Sequence, residues 1–161
     1  MKSNRWKWFL LVLGLILVGP QPFFILSDYH EDRAIAMIPV SFREQVTVEW
    51  VHSVELTPWK ETYEVEWPAK IKLVQTAFKS FGAGVPAQFD HASMRVENGW
   101  AQVSGLGETR NSVIYLISRS DYKLTVGEST WVLTEHVPLD TSLEMKVQWR
   151  PWWCRYLYSL T

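Results

Sequence analysis

Within ten residues this chain carries a histidine, a serine and two carboxylates: His52, Ser53, Glu55 and Glu61. An imidazole beside carboxylates can hold a metal, bind a polar ligand, or fix a loop through charge-assisted hydrogen bonds. As a metal set this group is incomplete and unspecific. The flanking residues alternate in strand fashion. Val46, Val48 and Trp50 interleave with Thr47 and Glu49, and Tyr63, Val65 and Trp67 with Glu64 and Glu66. Pairing Trp50 with Tyr63 sets Val48 against Val65, Val46 against Trp67 and His52 against Glu61, all on the apolar side. Two readings follow. One is a polar site around a ligand or metal, and the other is a hydrogen-bonded pair that shapes the loop over residues 53–60.

A second feature is Phe81-Gly82-Ala83-Gly84-Val85-Pro86. Its glycines permit positive φ or close backbone approach, and Pro86 fixes the exit. It lacks the Lys-Ser/Thr and the following helix of a phosphate cradle, so a tight loop against the fold is expected. No serine lies in a nucleophile elbow. Cys154 is the single cysteine, which excludes an intramolecular disulfide and a cysteine-based zinc site. A net charge of −1 and a pI near 6.4 argue against nucleic acid as a partner. Neither an enzyme nor a cofactor is expected.

The elements that position these residues read as strands almost throughout. Leu143, Met145, Val147 and Trp149 alternate with polar residues, as half-solvated antiparallel strands do. Asn98-Gly99 marks a type I′ hairpin pairing Glu97 with Trp100, Val96 with Ala101 and Met94 with Val103. Gly127-Glu128 fits a type II′ turn pairing Leu124 with Trp131, and Val113 to Ser118 should join it as a three-stranded meander. About nine strands and no soluble helix give an all-β fold, a small antiparallel β-sandwich or open barrel.

The N-terminus differs. Lys2, Arg5 and Lys7 precede an apolar run from Phe9 to Leu26, broken only by Pro20-Gln21-Pro22. No small-residue cleavage site fits well, so residues 1–26 are expected to be an uncleaved signal anchor, helical over 6–26, with the N-terminus inside. Residues 27–34 would be a linker, and 35–161 an extracytoplasmic β domain. Residues 27–161 hold 13 basic and 17 acidic residues, a net charge of −4. The aromatic tail from Trp149 to Leu160 would cover the sheet, meet a partner or return to the membrane interface.

His52-Ser53-Val54-Glu55, then Pro58-Trp59-Lys60-Glu61-Thr62-Tyr63, then Phe78-Lys79-Ser80 leading into the Gly82/Gly84 segment, together resemble an uncharacterised bacterial family. That family is a small membrane-anchored domain of unknown function encoded beside TAXI-type TRAP transporter permeases. The resemblance covers roughly residues 35–150. It implies a single-pass protein of the bacterial cytoplasmic membrane, accessory to a TRAP transporter, contacting the permease, the substrate-binding protein or both. It supplies no catalytic residues. The expected contacts are His52, Ser53, Glu55, Trp59, Glu61, Phe81, Gly82, Gly84 and Pro86. The alternative is a periplasmic ligand- or metal-binding module using the loop around His52.

Overall fold

The apolar run that reads as a membrane segment divides in two. A computed structural model describes residues 5–79, 93–158 and 160. In it α1 (Arg5–Val18) is followed by β1 (Pro20–Asp28), β2 (Arg33–Pro39), β3 (Gln45–Val51), β4 (Pro58–Glu66) and β5 (Lys70–Phe78). Then come β6 (Ser93–Glu97), β7 (Trp100–Arg110), β8 (Ser112–Leu116), β9 (Lys123–Val126), β10 (Ser129–Val132) and β11 (Ser142–Pro151). A 3-10 turn, Trp152–Tyr156, follows β11. The strands form two antiparallel sheets, β2-β1-β11-β8 and β10-β9-β3-β4-β5-β7-β6. Their inner faces share one core, to which Phe24, Leu143 and Met145 come from the first sheet and Val46, Val65 and Leu124 from the second. The all-β sandwich expectation therefore holds, as an open sandwich with eleven strands among the described residues rather than about nine.

The expected membrane helix over 6–26 is corrected. α1 has 14 residues, about 21 Å of helix against a hydrocarbon layer of about 30 Å. Among the described residues no helix is long and apolar enough to cross a membrane. Phe23, Phe24, Ile25 and Leu26 lie in a strand and are at most 2% exposed. Phe24 and Leu26 enter the main core, while Phe23 and Ile25 pack on the opposite face with Met37 and Cys154. A strand covered on both faces has no polar side, so its sequence is as uniformly apolar as that of a lipid-facing helix. Pro20 and Pro22 lie where β1 pairs with β11 alone, before its pairing with β2 begins at Phe23. An edge position tolerates the missing N–H of proline.

The expected linker over residues 27–34 is half strand and half turn. Ser27 and Asp28 complete β1, and a turn delivers the chain to Arg33. Both hairpins fall in the expected register: Glu97↔Trp100 and Met94↔Val103 around Asn98 (φ 51°) and Gly99 (φ 76°), and Leu124↔Trp131 around Gly127 (φ 58°). The meander is corrected. β8 pairs with β11 and β9 pairs with β3, so residues 117–122 carry the chain from one sheet to the other.

Strand direction gives the sandwich two distinct ends. Pro20 pairs with Pro151, so α1 emerges where β11 finishes. Tyr115 pairs with Leu143 near the start of β11, roughly 27 Å away at 3.4 Å per residue.

Candidate functional site

The hairpin between β3 and β4 is tighter than its sequence suggests. Val51 pairs with Pro58, Trp50 with Trp59, Val48 with Glu61 and Val46 with Tyr63. The expected register is thus displaced by four residues, and His52 and Glu61 are not cross-strand neighbours. The displacement keeps the same side chains on the core face, because four is a multiple of the strand period. Closure within residues 52–57 decides it. The His52 amide donates to the Thr57 carbonyl at 2.9 Å, and the Leu56 amide to the His52 carbonyl at 2.9 Å. Leu56 takes a φ of 51° to make the turn.

His52 serves this loop with its ring as well. Nδ1 faces the amides of Val54 and Glu55, each at 3.4 Å, as their acceptor. A neutral ring that accepts at Nδ1 carries its proton on Nε2. The imidazole also lies 5.5 Å from the Trp59 ring, which stacks on Phe78 at 4.9 Å. Phe78 is the cross-strand partner of Trp59 and the last residue of β5. The stack thus runs from the His52 hairpin to Phe78 at the end of β5. Phe81, Gly82, Gly84 and Pro86 themselves lie outside the described residues. Trp59 Nε1 is buried without a hydrogen-bond partner among the described residues. Ser53 is exposed at the hairpin tip with Val54 and Leu56, each of the latter 67% exposed, and Glu55 is half-buried.

Glu61 points between the sheets. Its Oε2 accepts the Tyr63 hydroxyl at 2.7 Å and the hydroxyl of Tyr115, and the two hydroxyls are 2.8 Å apart. Tyr63 and Glu61 belong to the large sheet and Tyr115 to the small one, so this polar triangle clamps the sandwich together. Aromatic rings close around it. Trp50 lies 5.5 Å from Tyr115 and stacks on Tyr122 at 5.9 Å. Sequence reasoning selected Glu61 but missed Tyr63, Tyr115, Tyr122 and Trp50 as its surroundings. The alternation of Val113 and Tyr115 marks a shared face, but nothing local says which sheet that face meets.

Burial, reinforced by the Glu61 carboxylate, raises the Tyr63 and Tyr115 hydroxyls well above the usual tyrosine value. An unfolded tyrosine ionises near pH 10. Below that pH both states keep these protons, and the pair adds no pH dependence. Above it only the unfolded chain releases them, so stability should fall as pH rises past about 10. In an alkaline titration the tyrosinate absorbance of these two residues should appear together with loss of strand circular dichroism. Smooth ionisation within an intact fold would contradict the clamp.

Among the described residues no group of three His, Cys, Asp or Glu side chains is placed to hold a metal ion. A cavity of about 580 Å³ lies at the opposite end, lined by Phe42, Arg43, Glu64, Val65, Glu66, Trp67 and Lys72. It shares no residue with the motif end.

The family described as a domain of unknown function, DUF1850, matches residues 46–133, more than half of the chain, and the chain belongs to it. The match runs from β3 to the residue after β10 and includes Glu61, Tyr63 and Tyr115. Nothing among curated proteins or solved structures matches the chain.

Proposed function

We propose that this DUF1850 member is a non-enzymatic accessory subunit of a TAXI-type TRAP transporter. In this reading α1 embeds in the cytoplasmic membrane and the sandwich stands on its extracytoplasmic side. The observation that carries the membrane seat is the surface of α1: Trp6, Trp8, Phe9, Leu10, Leu11 and Val12 are each about half exposed or more. A helix with that surface is at home in lipid rather than water. The transporter link rests on the two motifs and their resemblance to the TRAP-associated family. The spent state of Glu61 supports a role without catalysis, since its hydrogen bonds with Tyr63 and Tyr115 are within the fold.

The motif end is about 27 Å from the strand position where α1 leaves the sandwich. Its tip offers exposed Val54 and Leu56. That distance favours a partner that rises above the membrane, such as the substrate-binding protein, over one confined within it. Purification of the full chain from native membranes in mild detergent should bring the binding protein or the permease with it. Recovery of the chain alone, under conditions that keep the transporter intact, would contradict the proposal.

A further inference from the structure

Strand pairing places the C-terminal turn beside the exit of α1. Pro20 pairs with Pro151, so α1 and Trp152–Tyr156 leave adjacent strands at the same level, about 4.8 Å apart. Two residues further in, Pro22 faces Trp149. The Trp149 ring meets Trp67 at 5.6 Å and Phe42 at 5.8 Å, and its Nε1 donates to the Pro68 carbonyl at 2.6 Å. The turn is firmly seated. Cys154 is buried against Phe23, Ile25 and Met37, and the Met37 amide donates to the Tyr158 carbonyl at 2.8 Å. Yet its rings stay open to the outside: Tyr156, which meets Trp152 edge-on at 5.9 Å, is 70% exposed and Trp153 45%, and Trp67 across the same end is 70% exposed.

We infer that this end of the sandwich is an interfacial foot, with Trp67, Trp153 and Tyr156 seated in the headgroup layer of the bilayer that receives α1. The inference rests on the membrane reading of α1 and adds a second attachment to it. Lipid is the occupant because of how α1 is exposed. Residues 8–12 are five consecutive exposed apolar side chains, and at about 100° per residue they pass fully around the helix. A protein groove covers one side of a helix, whereas a bilayer surrounds it. Whatever layer takes up α1 meets the neighbouring turn as well. Trp and Tyr, with apolar bodies and polar tips, suit that boundary. The Arg155 guanidinium, 5.5 Å from the Tyr156 ring, adds a cation facing anionic headgroups. Two attachments fix the domain's tilt and hold the motif end away from the surface.

The test uses the full chain reconstituted in phosphatidylethanolamine/phosphatidylglycerol vesicles, with single cysteines introduced for an environment-sensitive fluorophore. The variants are Trp8→Cys on α1, Trp67→Cys and Tyr156→Cys on the foot, and Leu139→Cys. Leu139 is 54% exposed and lies three residues before β11, at the far end. The buried native Cys154 stays in place, and the unaltered chain gives the labelling blank. Lipids carrying a headgroup nitroxide should quench positions 67 and 156, and lipids carrying an acyl-chain nitroxide position 8, several-fold more than position 139. Quenching at 8 alone, with 67 and 156 matching 139, overturns the foot and leaves the anchor standing. Absence of quenching at 8 overturns both. Burial of positions 67 and 156 only when permease is co-reconstituted overturns the foot in favour of a protein contact.

Discussion

Replacement of Glu61 by alanine should cost about 3 kcal/mol of stability, and the share owed to Tyr115 should vanish when Tyr115 is already phenylalanine. The carboxylate accepts hydroxyls from both sheets. A hydrogen bond to a charged group contributes about 1.5–3 kcal/mol, and a buried donor left without an acceptor costs about 1–3 kcal/mol. Glu61→Gln keeps an acceptor and loses the charge, so it should cost about 1 kcal/mol. A double-mutant cycle of Glu61→Ala with Tyr115→Phe, read by urea denaturation, should give a coupling of about 1–3 kcal/mol. Additive losses would mean that the contact carries no energy. The folded Glu61→Gln variant also separates clamp from binding site. As a clamp, it should still co-purify with the proposed transporter partner.

The second large effect concerns β1. Its four central side chains are almost completely buried, and burying a large apolar side chain contributes about 1.5–3 kcal/mol. Together they supply about 6–12 kcal/mol, which rivals the whole stability of a typical domain. β1 is also flanked by β2 and β11, so its removal leaves both without a partner on that side. A chain that begins at residue 27 should therefore fail to fold. A chain that begins at Gly19 keeps β1, loses only α1, and should fold.

These two cases show what the sequence made legible. The hairpins at Asn98-Gly99 and Gly127-Glu128 could be read in full because short turns fix register locally. Alternation found the apolar faces of β3, β4 and β11, since burial on one side leaves a period of two. It could not place Glu61 opposite its true neighbour. Registers four residues apart share every face, and the choice falls to backbone hydrogen bonds within residues 52–57. Nor could it pair Glu61 with Tyr115, since those residues meet across the core from strands that share no ladder. Pattern failed for β1 as well. Burial on both faces erases alternation, and a basic N-terminus in front of the run imitates an anchor that continues to residue 26. The prolines at 20 and 22 marked the true boundary, where helix gives way to the open edge of a strand.

The boundary between α1 and β1 therefore decides whether residues 20–26 belong to the folded domain. The direct measurement compares chains starting at Gly19 and at residue 27 by far-UV circular dichroism and cooperative urea unfolding. Strand-rich spectra and a single cooperative transition are expected for the first, and neither for the second. A chain starting at residue 27 that folds and unfolds cooperatively would contradict this boundary, and would return residues 20–26 to the membrane.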